Sequence, residues 1–146
     1  AWEKGSRALF PEDLRPELIE EITTRVISSR YPAYSIKGGV FDALRATGGR
    51  MYGINNDEVY AAMDLFESLE GIDIVPAAGV AVAALQKAAT DGIIEKDSTI
   101  FLNITGGGEK RLRKDFKTYR VNPVFISKKI SDKELEEVLC ALQKKS

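Results

Sequence analysis

The sequence predicts an α/β fold: three layers, with a mainly parallel sheet and helices on both of its faces. Three observations predict it. Helical and strand-like stretches alternate along the chain, which is the order that parallel strands joined by crossover helices require. Residues 99–104, Thr-Ile-Phe-Leu-Asn-Ile, form a short run rich in β-branched and aromatic residues between turn signals, and read as a buried central strand. Several stretches carry apolar residues at helical spacing, such as Val59, Ala62, Met63 and Phe66, or Leu135, Val138, Leu139 and Leu142. A length of 146 residues suits one domain with a real core, so residues 1–146 are read as a single α/β domain.

In chain order, residues 1–15 show no period and read as a loop with one helical turn, anchored by Trp2, Leu9, Phe10 and Leu14. Pro16 suits the first position of a helix, where its missing N–H costs nothing. Leu18, Ile22 and Val26 extend that helix at four-residue steps to about Ser28, and Ser28-Ser29-Arg30-Tyr31-Pro32 breaks it. A second helix is expected over residues 35–47, weakened at its start by Gly38-Gly39 and ended by Gly48-Gly49. Residues 50–54 read as a short strand. Asn55 with Glu58 three residues on is a capping box, opening a helix that ends near Glu70-Gly71.

Residues 72–75 read as a short strand or extended link. Pro76 then opens a helix rich in alanine with Gly79, whose small side chains permit close approach to a sheet or a bound group. Asp91-Gly92 ends it. After the central strand, residues 109–117 are dense in charge and read as solvated. Val124-Phe125-Ile126 is a further short strand, and Ser131 with Glu134 is a second capping box opening the last helix, with Cys140 beside its apolar face.

Composition excludes several functions. The apolar fraction of 44% and charged fraction of 29% describe a soluble globular chain. The formal charge of −1 gives no footprint for nucleic acid or an anionic membrane. No apolar run spans a bilayer and no signal peptide is visible, so a cytoplasmic location is expected. A single cysteine excludes an internal disulfide. With no histidine, the commonest acid/base group, every Ser-His or Cys-His arrangement and most zinc sites are absent, and no metal site is expected. Chemistry here must come from a cofactor or from groups outside the chain. The start at Ala1 rather than methionine suggests a piece of a longer protein.

Thr105-Gly106-Gly107-Gly108, where the expected central strand ends, has two readings. It is either a strand-to-helix turn or a ligand platform, with the Thr105 hydroxyl as donor and the glycines bringing the backbone close to a bound group. It matches neither the Walker loop nor the dinucleotide fingerprint. The basic run Lys110, Arg111, Arg113, Lys114, Lys117 and Arg120 either holds a phosphate or sulfonate or is a solvated face. Lys37 before Gly38-Gly39 has the same two readings, and Glu67 with Glu70 reads as an exposed acidic face.

Two patches carry a family resemblance. Gly71-Ile72-Asp73-Ile74-Val75-Pro76-Ala77-Ala78-Gly79-Val80-Ala81 resembles the G-x-x-x-E-P-A-S/A-A segment of threonine synthase-like enzymes, and Thr105-Gly106-Gly107-Gly108-Glu109-Lys110 resembles their T-G-x-G-L-K segment. These enzymes belong to the fold-type II, tryptophan synthase β-like, pyridoxal phosphate family. Val75 replaces the usual Glu and Glu109 the usual Leu, which argues against an ordinary threonine synthase. The resemblance spans roughly residues 34–117. It implies pyridoxal 5'-phosphate as cofactor, with Thr105 on the pyridine nitrogen and Gly106, Gly107 and Gly108 lining the site. A neutral donor there leaves the nitrogen largely unprotonated, a weaker electron sink suited to β-elimination and β-replacement. The Schiff-base lysine and phosphate loop of the family have no counterpart here, so no catalytic residue is expected in this chain. The resemblance implies the C-terminal portion of a β-replacement enzyme, acting on a phosphorylated amino acid and an anionic nucleophile, completed by the rest of the polypeptide and capable of homo-oligomerising. The alternatives are a threonine synthase, taking O-phosphohomoserine to threonine, and a stand-alone non-catalytic α/β ligand-binding domain.

Overall fold

The computed structural model describes residues 1–29, 32–119, 123–127 and 129–143. These fall into two compact units, Ala1–Phe116 and Lys117–Ser146.

In the first unit the framework is a pair of helices. Helix α1, Val40–Thr47, starts only after the two glycines and ends at Gly48, whose φ of 65° is the left-handed stop. Helix α2, Asn56–Glu70, opens on the predicted capping box: Glu58 N–H donates to Asn55 Oδ1 at 2.9 Å and Asn55 N–H donates to Glu58 Oε2 at 2.7 Å. Helix α3, Pro76–Thr90, begins with proline at its first turn and packs along α2. Gly79 makes that approach possible, since a Cβ there would lie 2.7 Å from Met63 Cγ and 3.2 Å from Val59 O. The alanine-rich face thus lies against a helix. Ala62 and Ala78 are fully buried at this contact, with Ile74, Val82 and Ala83 completing the core and Ile54, Met63, Phe66, Val75, Leu102 and Ile104 packed around it.

The described residues contain no sheet. Their only strand pairing is one antiparallel bridge, Ile74 to Gly107. The mainly parallel three-layer sheet is therefore not seen, and residues 99–104 are not a central strand. The physical reason lies in what those residues lack. Exposure alternates along residues 101–108, with Leu102 and Ile104 turned to the core, as a half-buried strand requires. Their backbone groups, however, make no ladder hydrogen bond among the described residues, and Phe101 is 93% exposed. Residues 50–54 are likewise without secondary structure, as are the described residues 123–127, which include the predicted strand 124–126. A strand is completed by a neighbour, and among the described residues none lies beside these segments.

The helix predicted from Pro16 to about Ser28 is replaced by two 3₁₀ turns, Pro16–Glu20 and Arg25–Ile27. Its apolar stripe is only partly covered: Ile19 and Ile22 are half-buried, while Val26 is 83% exposed and Leu18 is exposed too. Short helices without packing are marginal in water. Arg30 and Tyr31 of the predicted break lie outside the described residues. A third 3₁₀ turn, Pro11–Asp13, is the single turn expected in the leading loop. Residues 109–117 contain a short helix, α4, Glu109–Asp115, supported by the i,i+4 pairs Arg113–Glu109 and Arg111–Asp115.

Around α1, the buried Phe41 ring meets Trp2 and Tyr34 edge-on, with centroids 5.7 Å away in each case. The Arg7 and Arg45 guanidinium groups lie over the same ring. The Tyr34 hydroxyl donates to Ser6 O at 2.8 Å, and burial pushes its phenol upward in pKa. The second unit holds helix α5, Asp132–Gln143. Its capping box forms as predicted: Ser131 N–H and hydroxyl both donate to Glu134 Oε2, holding the Glu134 carboxyl below its usual range. Cys140 is exposed.

Candidate functional site: the glycine turn against α3

The two motif patches, remote in sequence, meet in space. Residues 73–75, leading into α3, run beside residues 106–108. Val75 N–H donates to Gly106 O at 3.0 Å, and Gly108 N–H donates to Asp73 O at 2.7 Å. Between these bonds sits the Ile74–Gly107 bridge. The approach leaves no room for side chains: a Cβ on Gly107 would run into the Asp73 carbonyl and lie 3.0 Å from Ile74 Cα. Gly106 packs on Val75, where a Cβ would be 3.1 Å from Cγ2. Gly108 has a φ of 77° and is the N-cap of α4, so the third glycine is required for its backbone angle.

Thr105 stands at the mouth of this turn. It is exposed, on the side of the segment opposite Leu102 and Ile104, and its hydroxyl has no hydrogen-bond partner among the described residues. The turn therefore presents a neutral donor beside backbone that is fixed from behind. Sequence reasoning identified Thr105 and the three glycines but missed what holds them. Asp73 accepts the Lys110 N–H on its carboxylate, at 3.2 Å to Oδ1 and 3.3 Å to Oδ2. Glu67 of α2 takes the Lys110 ammonium at 2.6 and 2.7 Å, which raises the lysine pKa, with Asp73 adding to the effect. The signal was present in the shared motif patches, which carry both Asp73 and Lys110.

The basic run is largely engaged. Lys110, Arg111 and Arg113 each hold a carboxylate of this chain, and Lys117 lies over the Tyr119 ring. Arg120 lies outside the described residues. Lys37 is exposed, and the anion near the start of α1 is the chain's own Asp42, which accepts Gly38 N–H at 2.8 Å. The Asp42 carboxyl is held low in pKa by Arg7 first and by Gly38 next. Glu67, read as part of an exposed acidic face, is the partner of Lys110.

The close-packed glycine turn thus displays one hydroxyl without a hydrogen-bond partner among the described residues. The chain belongs to the pyridoxal-phosphate dependent enzyme family, whose profile matches residues 7–106. Among curated relatives, it is 46% identical over 142 residues to the cysteate synthase of Methanocella arvoryzae, covering 95% of this chain and 34% of that protein. It is 45% identical over 131 residues to the cysteate synthase of Methanosarcina barkeri, covering 88% and 32%. It is 49% identical over 126 residues to that of Methanocella paludicola, covering 84% and 29%. The chain thus spans about a third of the length of these relatives.

The described residues fit one part of the family's cofactor. Thr105 offers a neutral hydroxyl without a hydrogen-bond partner among the described residues. Of the basic residues after the turn, Lys110, Arg111 and Arg113 are paired with carboxylates of this chain.

Proposed function

We propose that the chain is the C-terminal part of a cysteate synthase, a pyridoxal phosphate-dependent enzyme converting O-phospho-L-serine and sulfite to L-cysteate and phosphate, for coenzyme M biosynthesis. The observation that carries the reading is the identity of 46% to a cysteate synthase over 95% of this chain. The meeting of the two motif patches at Thr105 supports it. In the reaction the bond from the β-carbon to the phosphate oxygen breaks and a bond from the β-carbon to sulfur forms. When bound, the cofactor supplies the electron-withdrawing ring that makes this exchange possible. Thr105 holds the ring nitrogen with a neutral donor, leaving it unprotonated. Gly106, Gly107 and Gly108 let the backbone lie close to the site and keep it fixed. The Schiff-base lysine and the phosphate loop belong to the remainder of the polypeptide. In that whole, residues 50–54 and 99–104 become strands of a mainly parallel sheet, with residues 1–146 forming one α/β domain. The enzyme is cytoplasmic and capable of homo-oligomerising.

The test is the full-length enzyme, loaded with pyridoxal phosphate and given O-phosphoserine with sulfite. Cysteate and phosphate are expected in equal amounts. Threonine from O-phosphohomoserine, with no cysteate, would overturn the reading in favour of a threonine synthase. No turnover of either substrate would leave a binding domain.

A further inference from the structure

We infer that Asp73 is the positioning residue of the cofactor turn, acting on the ring nitrogen through Thr105. The inference rests on the reading of Thr105 as the cofactor's hydroxyl donor. Helix α4 starts at a glycine, so its N-cap has no side chain to receive the first free N–H groups. Asp73, from the segment before α3, supplies the missing acceptor: its carboxylate spans the Lys110 N–H at 3.2 and 3.3 Å. The same residue's carbonyl takes Gly108 N–H at 2.7 Å. One residue therefore grips the turn twice, once by backbone and once by side chain. Val75 N–H on Gly106 O at 3.0 Å adds a third hold immediately after Thr105. Glu67 on the Lys110 ammonium ties the same point to α2.

The consequence is positional. Between the core-facing Ile104 and the gripped Gly106, Thr105 has its backbone fixed on both sides, while its hydroxyl faces outward without a protein partner among the described residues. Loss of the Asp73 carboxylate removes the side-chain hold on Lys110 N–H and leaves the glycine run on its backbone bonds alone. The far end of the turn loosens, the spread of Thr105 hydroxyl positions widens, and the benefit of donating to the cofactor falls. Asp73 touches neither cofactor nor substrate in this scheme.

The experiment is a double-mutant cycle in the full-length enzyme, read as pyridoxal phosphate affinity by absorbance titration. Thr105→Val should weaken binding roughly fivefold, the size of one neutral hydrogen bond. Asp73→Ala should weaken it by a similar factor, and Asp73→Asn, which keeps an acceptor oxygen for Lys110 N–H, should restore most of the loss. In the Asp73→Ala background Thr105→Val should have no further effect, the non-additivity expected of groups acting as one. If Asp73→Ala fails to fold, Asp73→Ser, whose hydroxyl stops short of Lys110 N–H, carries the same cycle. Losses that multiply, or wild-type affinity in the Asp73 variants while Thr105→Val is weakened, overturn the positioning role and leave the Thr105 reading intact. Wild-type affinity in Thr105→Val overturns both.

Discussion

At the scale of single residues, Gly107 shows how tightly the turn is made. A methyl group there meets the Asp73–Ile74 backbone, and backbone does not swing away as a side chain tip would. Gly107→Ala should therefore destabilise by about 1–3 kcal/mol, the usual range for overpacking, measured as a lower denaturant midpoint. Gly53→Ala is the control, since its Cβ would meet nothing within 4 Å. Asp13 carries a pH-dependent contribution. Lys4 at 2.9 Å and the Phe10 N–H at 3.0 Å hold its carboxyl down to about 2. The unfolded carboxyl titrates at about 4, so the contribution is complete above that value and is lost as pH falls toward 2. Melting temperatures between pH 5 and pH 2 should fall more steeply for the wild type than for Asp13→Asn. The glycine turn was legible, because Thr-Gly-Gly-Gly is a local signal. Asp73 was not, because its role is defined by Lys110, which is far along the chain and near only after folding.

At the scale of elements, what was legible is what is settled within a few residues. The capping boxes at Asn55 and Ser131 form with the predicted partners, and glycines end α1 and α2. Asn55→Ala should cost about 1 kcal/mol, seen as reduced amide protection in the first turn of α2. The stretch from Pro16 to Ser28 has equally good spacing and forms only 3₁₀ turns, because an amphipathic face needs something to lie against. Helix α3 has such a partner. Gly79→Leu should push α3 off α2 through Met63 and Val59, with a cost of about 1–3 kcal/mol by urea unfolding.

At the scale of the whole molecule, the fold class rested on a sheet that the chain cannot complete by itself. Residues 101–104 show the alternation of a strand, with Leu102 and Ile104 inward, and among the described residues nothing beside them to bond to. Strand character in a sequence is a statement about one chain, whereas a sheet is a statement about several. For the same reason residues 1–146 alone should give no turnover with O-phosphoserine and sulfite and bind pyridoxal phosphate weakly or not at all. A cofactor absorbance shift with this chain that disappears on substitution of one of its lysines would refute this. The open segment has a further consequence, for handling. Thr-Ile-Phe-Leu-Asn-Ile-Thr at 99–105 has no charge and no proline, strong β preference and free amide and carbonyl groups, the pattern of a seed for cross-β aggregation. Phe101→Lys places a charge on a side chain that touches almost nothing. It should raise the concentration at which the isolated chain begins to scatter light or bind thioflavin, while leaving the α2–α3 core and its melting temperature in place.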